Sequence, residues 1–183
     1  MSSALVLIAD GTEEMEAVIV IDVLRRAGCS VVVAATASQT TIKASRGVRI
    51  VADALLAEID TPMAFDLLVL PGGKDGAETF SRSPNVQELL KSYDRGSKWI
   101  AAICAAPLAL DAAGILRERR YTCYPGIEQG IASGQHITDV VVRDENLVTS
   151  RGPGTAMQFA LMLVALLENK KAADELRRQM VLL

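Results

Sequence analysis

The sequence predicts an α/β fold in which a mainly parallel sheet is covered by helices on both faces. Short apolar segments of strand length alternate along the chain with longer segments of helical periodicity. The strand segments are apolar throughout, which is typical of strands that are buried on both faces. The chain has 183 residues, of which 50% are hydrophobic and 22% are charged. This length and composition predict one domain over residues 1–183 and exclude a disordered chain.

The predicted elements alternate in order. Strands are predicted at 4–9, 31–35, 66–70, 98–103, 138–143 and 147–150. Helices are predicted at 10–27, 84–94, 107–114, 155–168 and 171–180. Asp10, three residues before Glu13, is expected to cap the first helix, and Gly28 is expected to end it. Because ligands bind at the carboxyl ends of strands in such sheets, the residues that follow each strand are the first candidates for a site.

Charge and composition exclude several classes of function. The net charge is −3 and no run of Lys or Arg occurs, so the chain lacks the basic surface of a nucleic-acid-binding protein. Its apolar runs are much shorter than the ~20 residues of a membrane span. No charged segment of the kind found in signal peptides precedes the first predicted strand. We therefore expect a cytoplasmic protein without membrane partners.

The cysteine and histidine content argues against a metal centre. The chain has three cysteines and one histidine, and neither a CxxC nor an HExxH motif occurs. Disulfide frameworks and zinc sites are usually built from paired, closely spaced cysteines or histidines. The sequence therefore predicts no disulfide framework, no metal site and no cofactor.

Cys104 lies where a predicted strand turns into a predicted helix. A nucleophile at such a turn is exposed at the top of the sheet, and the small residues around it in 101–107 suit a crowded turn. The helix N-terminus is expected to lower the pKa of the thiol, and the next amides could stabilise an oxyanion. A small, inert buried residue would fit the same position. We expect that inert role for Cys29 and Cys123.

Glu16 is a candidate for a buried carboxyl group. It shares a helical row with three apolar residues, Val20, Val23 and Ala27. A carboxyl group on a core-facing row must find a partner or raise its pKa. The alternative is a solvated glutamate in the first turn, where it would interact favourably with the helix dipole.

Two glycines follow the central predicted strand. Gly72 and Gly73 let the backbone approach a neighbour closely, and they can turn amides toward an anion. A plain tight turn would use the same residues. The segment is not a phosphate loop, because neither GxxxxGK[ST] nor GxGxxG is present.

Five motifs occur in order along nearly the whole chain. They are ADGTEEME at 9–16, ASRGV at 44–48, VLPGG at 69–73, AAICAAP at 101–107 and TSRGPGT at 149–155. Together they resemble the DJ-1/PfpI superfamily, and its DJ-1 branch in particular. The resemblance implies a flavodoxin-like three-layer α/β sandwich and a homodimer.

The resemblance also implies the roles of the candidate residues. Cys104 corresponds to the reactive cysteine and Glu16 to the protonated carboxyl group that hydrogen-bonds its thiolate or sulfinate. The backbone lining the pocket corresponds to Gly72, Gly73 and Ala105. A further position, Arg46, corresponds to an arginine that organises the site at the dimer interface.

The sequence departs from the family pattern at residue 124. Many glyoxalase-competent relatives carry His-Pro at the position that follows the strand-like segment 121–123. This chain has Tyr124-Pro125 there, and its single histidine, His136, lies in a polar segment that is expected to face solvent. A Cys-His dyad is therefore not expected. Tyr124 could donate a hydrogen bond to a substrate, but a phenol with a pKa of ~10 is a poor base at neutral pH.

These residues leave several functions open. One is glutathione-independent glyoxalase or deglycase chemistry on a small dicarbonyl such as methylglyoxal or glyoxal, with a hemithioacetal at Cys104 and proton transfer by Glu16. Another is a non-catalytic sensor of oxidants, or a chaperone, that acts in oxidative stress through a Cys104 sulfinic acid. A PfpI-type peptidase or an amidotransferase-like hydrolase is disfavoured, because both need a Cys-His pair. An α/β domain with an incidental thiol is the remaining alternative.

The first predicted helix favours association with a second copy. It is apolar nearly all round over 17–24, and only Asp22 interrupts it. The sheet covers one face of the helix, so Met15, Val18 and Ile19 could meet a symmetric copy. Burial of this face by another helix of the same chain is the alternative.

Overall fold

A seven-stranded sheet lies at the centre of the computed structural model, which describes residues 1–182. Leu183, the last residue of the predicted domain, lies outside the described residues. The strands are β1 Ser3–Ile8, β2 Ser30–Ala35, β3 Thr41–Lys43, β4 Arg49–Val51, β5 Ala54–Leu55, β6 Leu67–Leu70, β7 Trp99–Ile103, β8 Arg120–Tyr121, β9 Gln135–His136, β10 Val141–Asp144 and β11 Leu147–Ser150. The helices are α1 Glu14–Arg26, α2 Lys74–Arg82, α3 Pro84–Arg95, α4 Pro107–Ala112, α5 Ala156–Leu167 and α6 Lys170–Gln179.

The order of strands in the sheet is β10-β11-β7-β6-β1-β2-β5. Five of the neighbouring pairs are parallel, and β10 runs antiparallel to β11 at one edge. The predicted fold class, a mainly parallel sheet in a flavodoxin-like α/β fold, is confirmed. Because β1, β6 and β7 are adjacent and parallel, their carboxyl ends meet at the same edge of the sheet. The residues that follow these three strands form the candidate site.

Two apolar layers cover the sheet, one on each face. Successive residues of β1 alternate between them: Ala4 and Val6 pack against the layer of α1, α5 and α6, and Leu5 and Leu7 pack against the layer of α2, α3 and α4. The central strands β6 and β7 are therefore apolar at every position, as the sequence pattern indicated. Within the described residues, none of the helices combines the length and the hydrophobicity that crossing a membrane requires.

The first helix begins later than predicted. The sequence indicated a start at Asp10, but α1 starts at Glu14, and Glu13 caps it by accepting a hydrogen bond from the Glu16 N–H at 2.9 Å. Asp10 instead accepts a hydrogen bond from the Lys43 N–H at 2.7 Å, so its carboxylate holds the β3–β4 hairpin. A local capping signal was outweighed by a contact from a distant part of the chain.

Several short elements were absent from the prediction. The hairpin of β3 and β4 is mostly exposed and polar, so it lacks the apolar pattern of a buried strand. Helix α2 has few buried positions, and Gly76 lies inside it where Thr12 approaches its Cα closely. Such elements depend on tertiary contacts more than on the periodicity of their own residues.

Gly73 is a point of close approach between two strand ends. Its φ is +85°, and a Cβ placed there would lie 2.1 Å from the carbonyl oxygen of Gly11 and 2.6 Å from the amide nitrogen of Glu13. The loops that follow β1 and β6 therefore touch through their backbones. This contact places the start of α1 beside the end of β6.

Replacing Gly73 tests this contact, and Gly28 provides a matched control. Gly28 has a φ of +84°, and a Cβ there would meet nothing within 4 Å. We expect Gly28→Ala to cost only the ~1 kcal/mol of left-handed backbone strain. Gly73→Ala should lose a further ~1–3 kcal/mol because the new methyl group meets backbone. Urea unfolding measures both, and equal losses would contradict the close approach.

Candidate active site

Cys104 occupies a sharp turn between β7 and α4. Its φ is +65°, which is uncommon for a residue other than glycine. The turn is held on both sides of the residue: the Cys104 N–H donates to the Ser150 carbonyl at 3.0 Å, and the Cys104 carbonyl accepts from the Tyr124 N–H at 2.9 Å. The side chain is largely buried, with 8% of the residue surface exposed. The thiol therefore lies at the sheet edge where the sequence placed it, in a strained and well-supported turn.

Glu16 is fully buried beneath this turn. Its Oε2 accepts a hydrogen bond from the Gly72 N–H at 2.7 Å, whereas Oε1 is buried without a partner of hydrogen-bond geometry. Of the apolar row predicted with it, Val20 and Val23 are inaccessible to solvent, and Ala27, which follows the last residue of α1, is half-buried. Glu16 is therefore the buried carboxyl group that one of the two predictions described, and not a solvated glutamate of the first turn.

Gly72 separates these two side chains. A Cβ at this position would lie 2.4 Å from the Cys104 Cβ, 2.6 Å from Glu16 Oε2 and 2.8 Å from the Ile103 carbonyl oxygen. Only a residue without a side chain can present its N–H to Glu16 here. The glycine following the central strand is thus part of the site, and the plain-turn alternative does not explain its contacts.

Burial controls the electrostatics of the pair. It raises the pKa of the Glu16 carboxyl to about 7, although the hydrogen bond from Gly72 opposes this change. Burial also raises the pKa of the Cys104 thiol to about 12, and the negative charge of an ionised Glu16 adds to the effect. The backbone N–H groups of Gly73 and Ala105 lower it.

The thiol is therefore not activated as the sequence suggested. The helix N-terminus was expected to lower the pKa of Cys104, but burial and the adjacent carboxyl group outweigh it. An ionised Glu16 disfavours a second negative charge on the neighbouring sulfur, so the two groups titrate as a coupled pair. Near pH 7 Glu16 is therefore partly ionised, while the Cys104 thiol keeps its proton.

A cavity of about 730 Å³ opens above Cys104. Ala105, Gly73, Arg46 and Tyr124 line it together with the cysteine, so the structure brings most of the predicted site residues to one opening. Tyr124 is 49% exposed, and the Arg46 side chain is also exposed. The sequence did not indicate four further residues that line this cavity: Lys74, Asp75, Ile127 and Pro153.

The position of Arg46 beside the cavity is fixed by backbone contacts of its loop, residues 44–48. Its backbone N–H donates to the Glu14 carboxylate at 2.9 Å, and Ser45 Oγ donates to the same carboxylate at 2.9 Å. The sequence does not single out Glu14. In the structure it is largely buried and holds the 44–48 loop against the start of α1. Its position in a charged segment hid this role, since nothing local distinguishes it from Glu13.

His136 does not line the cavity with Cys104. It is half-buried, contrary to the expectation that it faces solvent, and its ring lies 5.5 Å from the ring of Tyr121. Because it is the chain's only histidine, the cavity has no Cys-His dyad of the kind that peptidases and amidotransferases use. Tyr124 occupies the position beside the cysteine instead.

Comparison with known proteins identifies the family. The model of the DJ-1/PfpI family matches residues 2–166. The chain belongs to this family. It is 43% identical over 178 residues to Protein dj-1beta of Drosophila melanogaster, covering 96% of this chain and 95% of that protein. The crystal structure of Drosophila melanogaster DJ-1beta superposes with a TM-score of 0.96 at 42% identity and full coverage of both chains.

Two further relatives extend the comparison. The chain is 36% identical over 183 residues to a Caenorhabditis elegans protein named glutathione-independent glyoxalase DJR-1.2, covering 98% of this chain and 96% of that protein. It is 47% identical over 161 residues to Protein DJ-1 homolog B of Arabidopsis thaliana. That match covers 87% of this chain and only 36% of the Arabidopsis protein. The resemblance to the DJ-1 family is confirmed by these relatives.

The coupled titration of the pair predicts how alkylation of Cys104 depends on pH. Below pH 7 Glu16 is protonated and cannot accept the thiol proton; above pH 7 Glu16 is ionised and can take that proton as the sulfur reacts. The rate of iodoacetamide labelling should therefore rise with an apparent pKa near 7. In Glu16→Gln only the buried thiol can lose a proton, and the rise should move above the ordinary thiol value of ~8.5.

Peptide mass spectrometry separates Cys104 from the other two cysteines in this measurement. Glu14→Gln serves as the control, because Glu14 lies in the same helical turn but binds the 44–48 loop. We expect its labelling profile to match that of the unmodified protein. An unchanged profile in Glu16→Gln would show that the carboxyl group and the thiol are not coupled.

Proposed function

We propose that the protein converts methylglyoxal and glyoxal to the corresponding 2-hydroxy acids without glutathione, using Cys104 as nucleophile and Glu16 as proton carrier. The observation that carries this proposal is a buried carboxyl group with a pKa near 7, next to a thiol at the base of an open cavity. A group with such a pKa can accept and return a proton at neutral pH. The name of the Caenorhabditis elegans relative supports the same chemistry.

In the first step the Cys104 sulfur attacks the aldehyde carbon and forms a C–S bond. The thiol proton passes to the Glu16 carboxylate and then to the former aldehyde oxygen, which gives a neutral hemithioacetal. Oε1 of Glu16 is suited to this transfer because it makes no other hydrogen bond, whereas Oε2 is held by Gly72. The ionised Glu16 is regenerated at the end of the step.

In the second step Glu16 moves a proton between two carbons. The carboxylate removes the hydrogen from the carbon bonded to sulfur and returns it to the neighbouring carbonyl carbon through an enediol. The product is a 2-hydroxyacyl thioester on Cys104. The N–H groups of Gly73 and Ala105, which act on the sulfur, are candidates to stabilise the negative oxygen that develops.

Water completes the reaction by hydrolysing the thioester. The C–S bond breaks, the thiol is restored, and lactate leaves when the substrate is methylglyoxal, or glycolate when it is glyoxal. The overall change adds one water and needs no oxidant or reductant. With an early adduct between a dicarbonyl and an amine, the sulfur would displace the amine: the C–S bond forms, the C–N bond breaks, and the amine leaves with the thiol proton. The same hemithioacetal results, and the later steps are unchanged.

Arg46 and Tyr124 are proposed to orient the substrate at the mouth of the cavity. The Arg46 guanidinium makes no ion pair among the described residues, so it is available to a carbonyl oxygen or to the carboxylate product. Tyr124 can donate a hydrogen bond but cannot replace a histidine base at neutral pH. We therefore expect slow turnover, because Glu16 alone carries the protons.

Lactate formation from methylglyoxal tests the enzymatic proposal. Cys104→Ser should abolish it, because a serine hydroxyl is a far weaker nucleophile than a thiolate. Glu16→Gln should lower kcat by about 10²–10⁴-fold, the usual contribution of a general base. Cys29→Ser is the matched control and should keep full activity, since Cys29 is buried away from the cavity. Full lactate formation by Cys104→Ser would reject the mechanism.

A second candidate is a sensor of oxidants that acts through Cys104 sulfinic acid. The observation that favours it is the set of donors around the sulfur combined with the absence of a histidine from the cavity lining. A sulfinate has two acceptor oxygens, which the N–H groups of Gly73 and Ala105 and a protonated Glu16 could bind. A chaperone role would require that this oxidised form binds client proteins.

Intact-mass measurement after mild peroxide treatment tests the second candidate. We expect a gain of two oxygens in the unmodified protein and none in Cys104→Ala. Cys29 should not contribute, because it is buried and does not line the cavity that opens above Cys104. An equal gain in Cys104→Ala would reject a sensor at this site.

We also propose that the protein acts as a homodimer through α1. Met15 and Val18 are 53% and 51% exposed on this helix, and Val48 is 51% exposed on the adjacent 44–48 loop. Ile19, predicted to share the exposed face, instead packs against the core of its own chain. Light scattering should give the mass of a dimer, and Val18→Asp should give a monomer. A monomeric unmodified protein at micromolar concentration would contradict this interface.

A further inference from the structure

We propose a zinc-binding site formed by Cys123, Glu128 and His136, separate from the Cys104 cavity. The three residues each offer one ligand atom, and these atoms lie within 4.8 Å of one another. Sulfur, carboxylate oxygen and imidazole nitrogen are the three donor types that zinc uses in proteins. The site goes beyond the chemistry proposed for Cys104 and does not depend on it.

Three different segments bring these ligands together. Cys123 follows β8 and is fully buried, Glu128 lies in a short 3-10 helix at Ile127–Gly130, and His136 lies on β9. Strands β8 and β9 pair in parallel with Tyr121 opposite His136, and the Ile137 N–H donates to the Tyr121 carbonyl at 2.8 Å. This pairing holds the histidine beside the loop that carries the cysteine.

Spacing within the cluster suits a small tetrahedral ion. The Cys123 Sγ and a Glu128 carboxylate oxygen are 3.9 Å apart. Two ligand atoms on one tetrahedral zinc are roughly 3.3–3.6 Å apart at ordinary zinc–ligand distances. Glu128 and His136 are only half-buried, so their side chains can close the remaining gap and admit the ion from the surface. Three protein ligands leave the fourth position to water.

Charge also favours a divalent ion. A Cys123 thiolate and the Glu128 carboxylate together supply two negative charges, which neutralise the +2 charge of Zn²⁺. The Gly126 N–H donates a hydrogen bond to the Glu128 carboxylate at 2.7 Å and holds it beside Cys123. The thiolate and imidazole ligands favour zinc over the harder ions calcium and magnesium.

Binding requires the Cys123 thiol to lose its proton. Burial, followed by the charge of Glu128, raises the pKa of this thiol to about 11, while the charge of Arg151 acts in the opposite direction. The ion replaces the proton on sulfur, one proton is released to solvent, and a ring nitrogen of His136 contributes a lone pair. No oxidation or reduction takes part.

The chain contains a matched control for this cluster. Cys29 lies 3.9 Å from a Glu168 carboxylate oxygen, the same separation as in the Cys123–Glu128 pair. The structure places no histidine in a cluster with Cys29 within residues 1–182. A buried cysteine beside a glutamate is thus present at both places, and only the Cys123 cluster adds the third ligand.

Cobalt titration of the reduced, full-length protein tests the site, because Co²⁺ reports thiolate ligation by its charge-transfer absorption. A Cys104→Ser background removes the thiol of the main cavity. In this background we expect one Co²⁺ per chain, displaced by Zn²⁺. The signal should persist after Cys29→Ser and disappear after Cys123→Ser.

His136→Gln provides a second readout that does not disturb the buried core. It should weaken Zn²⁺ binding by more than ~10-fold in competition with a chromophoric chelator, since even outer-shell partners of a metal have effects of that size. Zn²⁺ should also raise the Tm of the background protein but not of the His136→Gln variant. A thiolate signal that survives Cys123→Ser, or an affinity unchanged by His136→Gln, would overturn the proposal.

Discussion

The hydrogen bond from the Gly72 N–H to the buried Glu16 carboxyl group is the interaction on which the site depends. It satisfies one oxygen of a side chain that has no access to water, and it leaves the other oxygen unpaired beneath Cys104. Burial raises the pKa of this carboxyl group to about 7, and the hydrogen bond from Gly72, which favours the ionised form, limits the rise. The chemistry proposed for Cys104 follows from the proton of this carboxyl group, because the thiol by itself is a weak acid in this environment.

The hydrogen bond between Gly72 and Glu16 requires the backbone to pass so close to its neighbours that only glycine fits. Gly72 lies between Cys104 and Glu16, and Gly73 touches the loop that leads into α1. These contacts join the ends of β1, β6 and β7 at one edge of the sheet, where the parallel arrangement already brings them together. The strained turn at Cys104 is supported by bonds to Ser150 and Tyr124, so its conformation is set by neighbouring segments as well as by its own residues.

The loop from Tyr121 to His136 connects the two proposed sites. Tyr124 borders the cavity and bonds the backbone of Cys104, while Cys123, immediately before it, belongs to the proposed zinc cluster. An ion bound there would tie this loop to the 3-10 helix and to β9. The bound ion would thereby restrain Tyr124, which forms part of the wall of the Cys104 cavity.

The sequence alone predicted the α/β class and the position of Cys104 after a strand, and it offered burial as one of two alternatives for Glu16. Each of these follows from the local pattern of apolar residues. Strands buried on both faces need apolar residues throughout, and helix faces that pack on a core need them at every third or fourth position. The family motifs added the pairing of Cys104 with Glu16, which lie far apart in sequence.

Other features were decided only by contacts between distant segments. Asp10 binds the β3–β4 hairpin instead of capping α1, Glu14 holds the 44–48 loop, and burial raises the pKa of the thiol that the helix N-terminus was expected to lower. The sequence predicted no metal site because its few cysteines and histidines are widely spaced. The fold nevertheless brings Cys123 and His136 together with Glu128, since the pairing of two short strands, which carry almost no sequence signal, sets that distance.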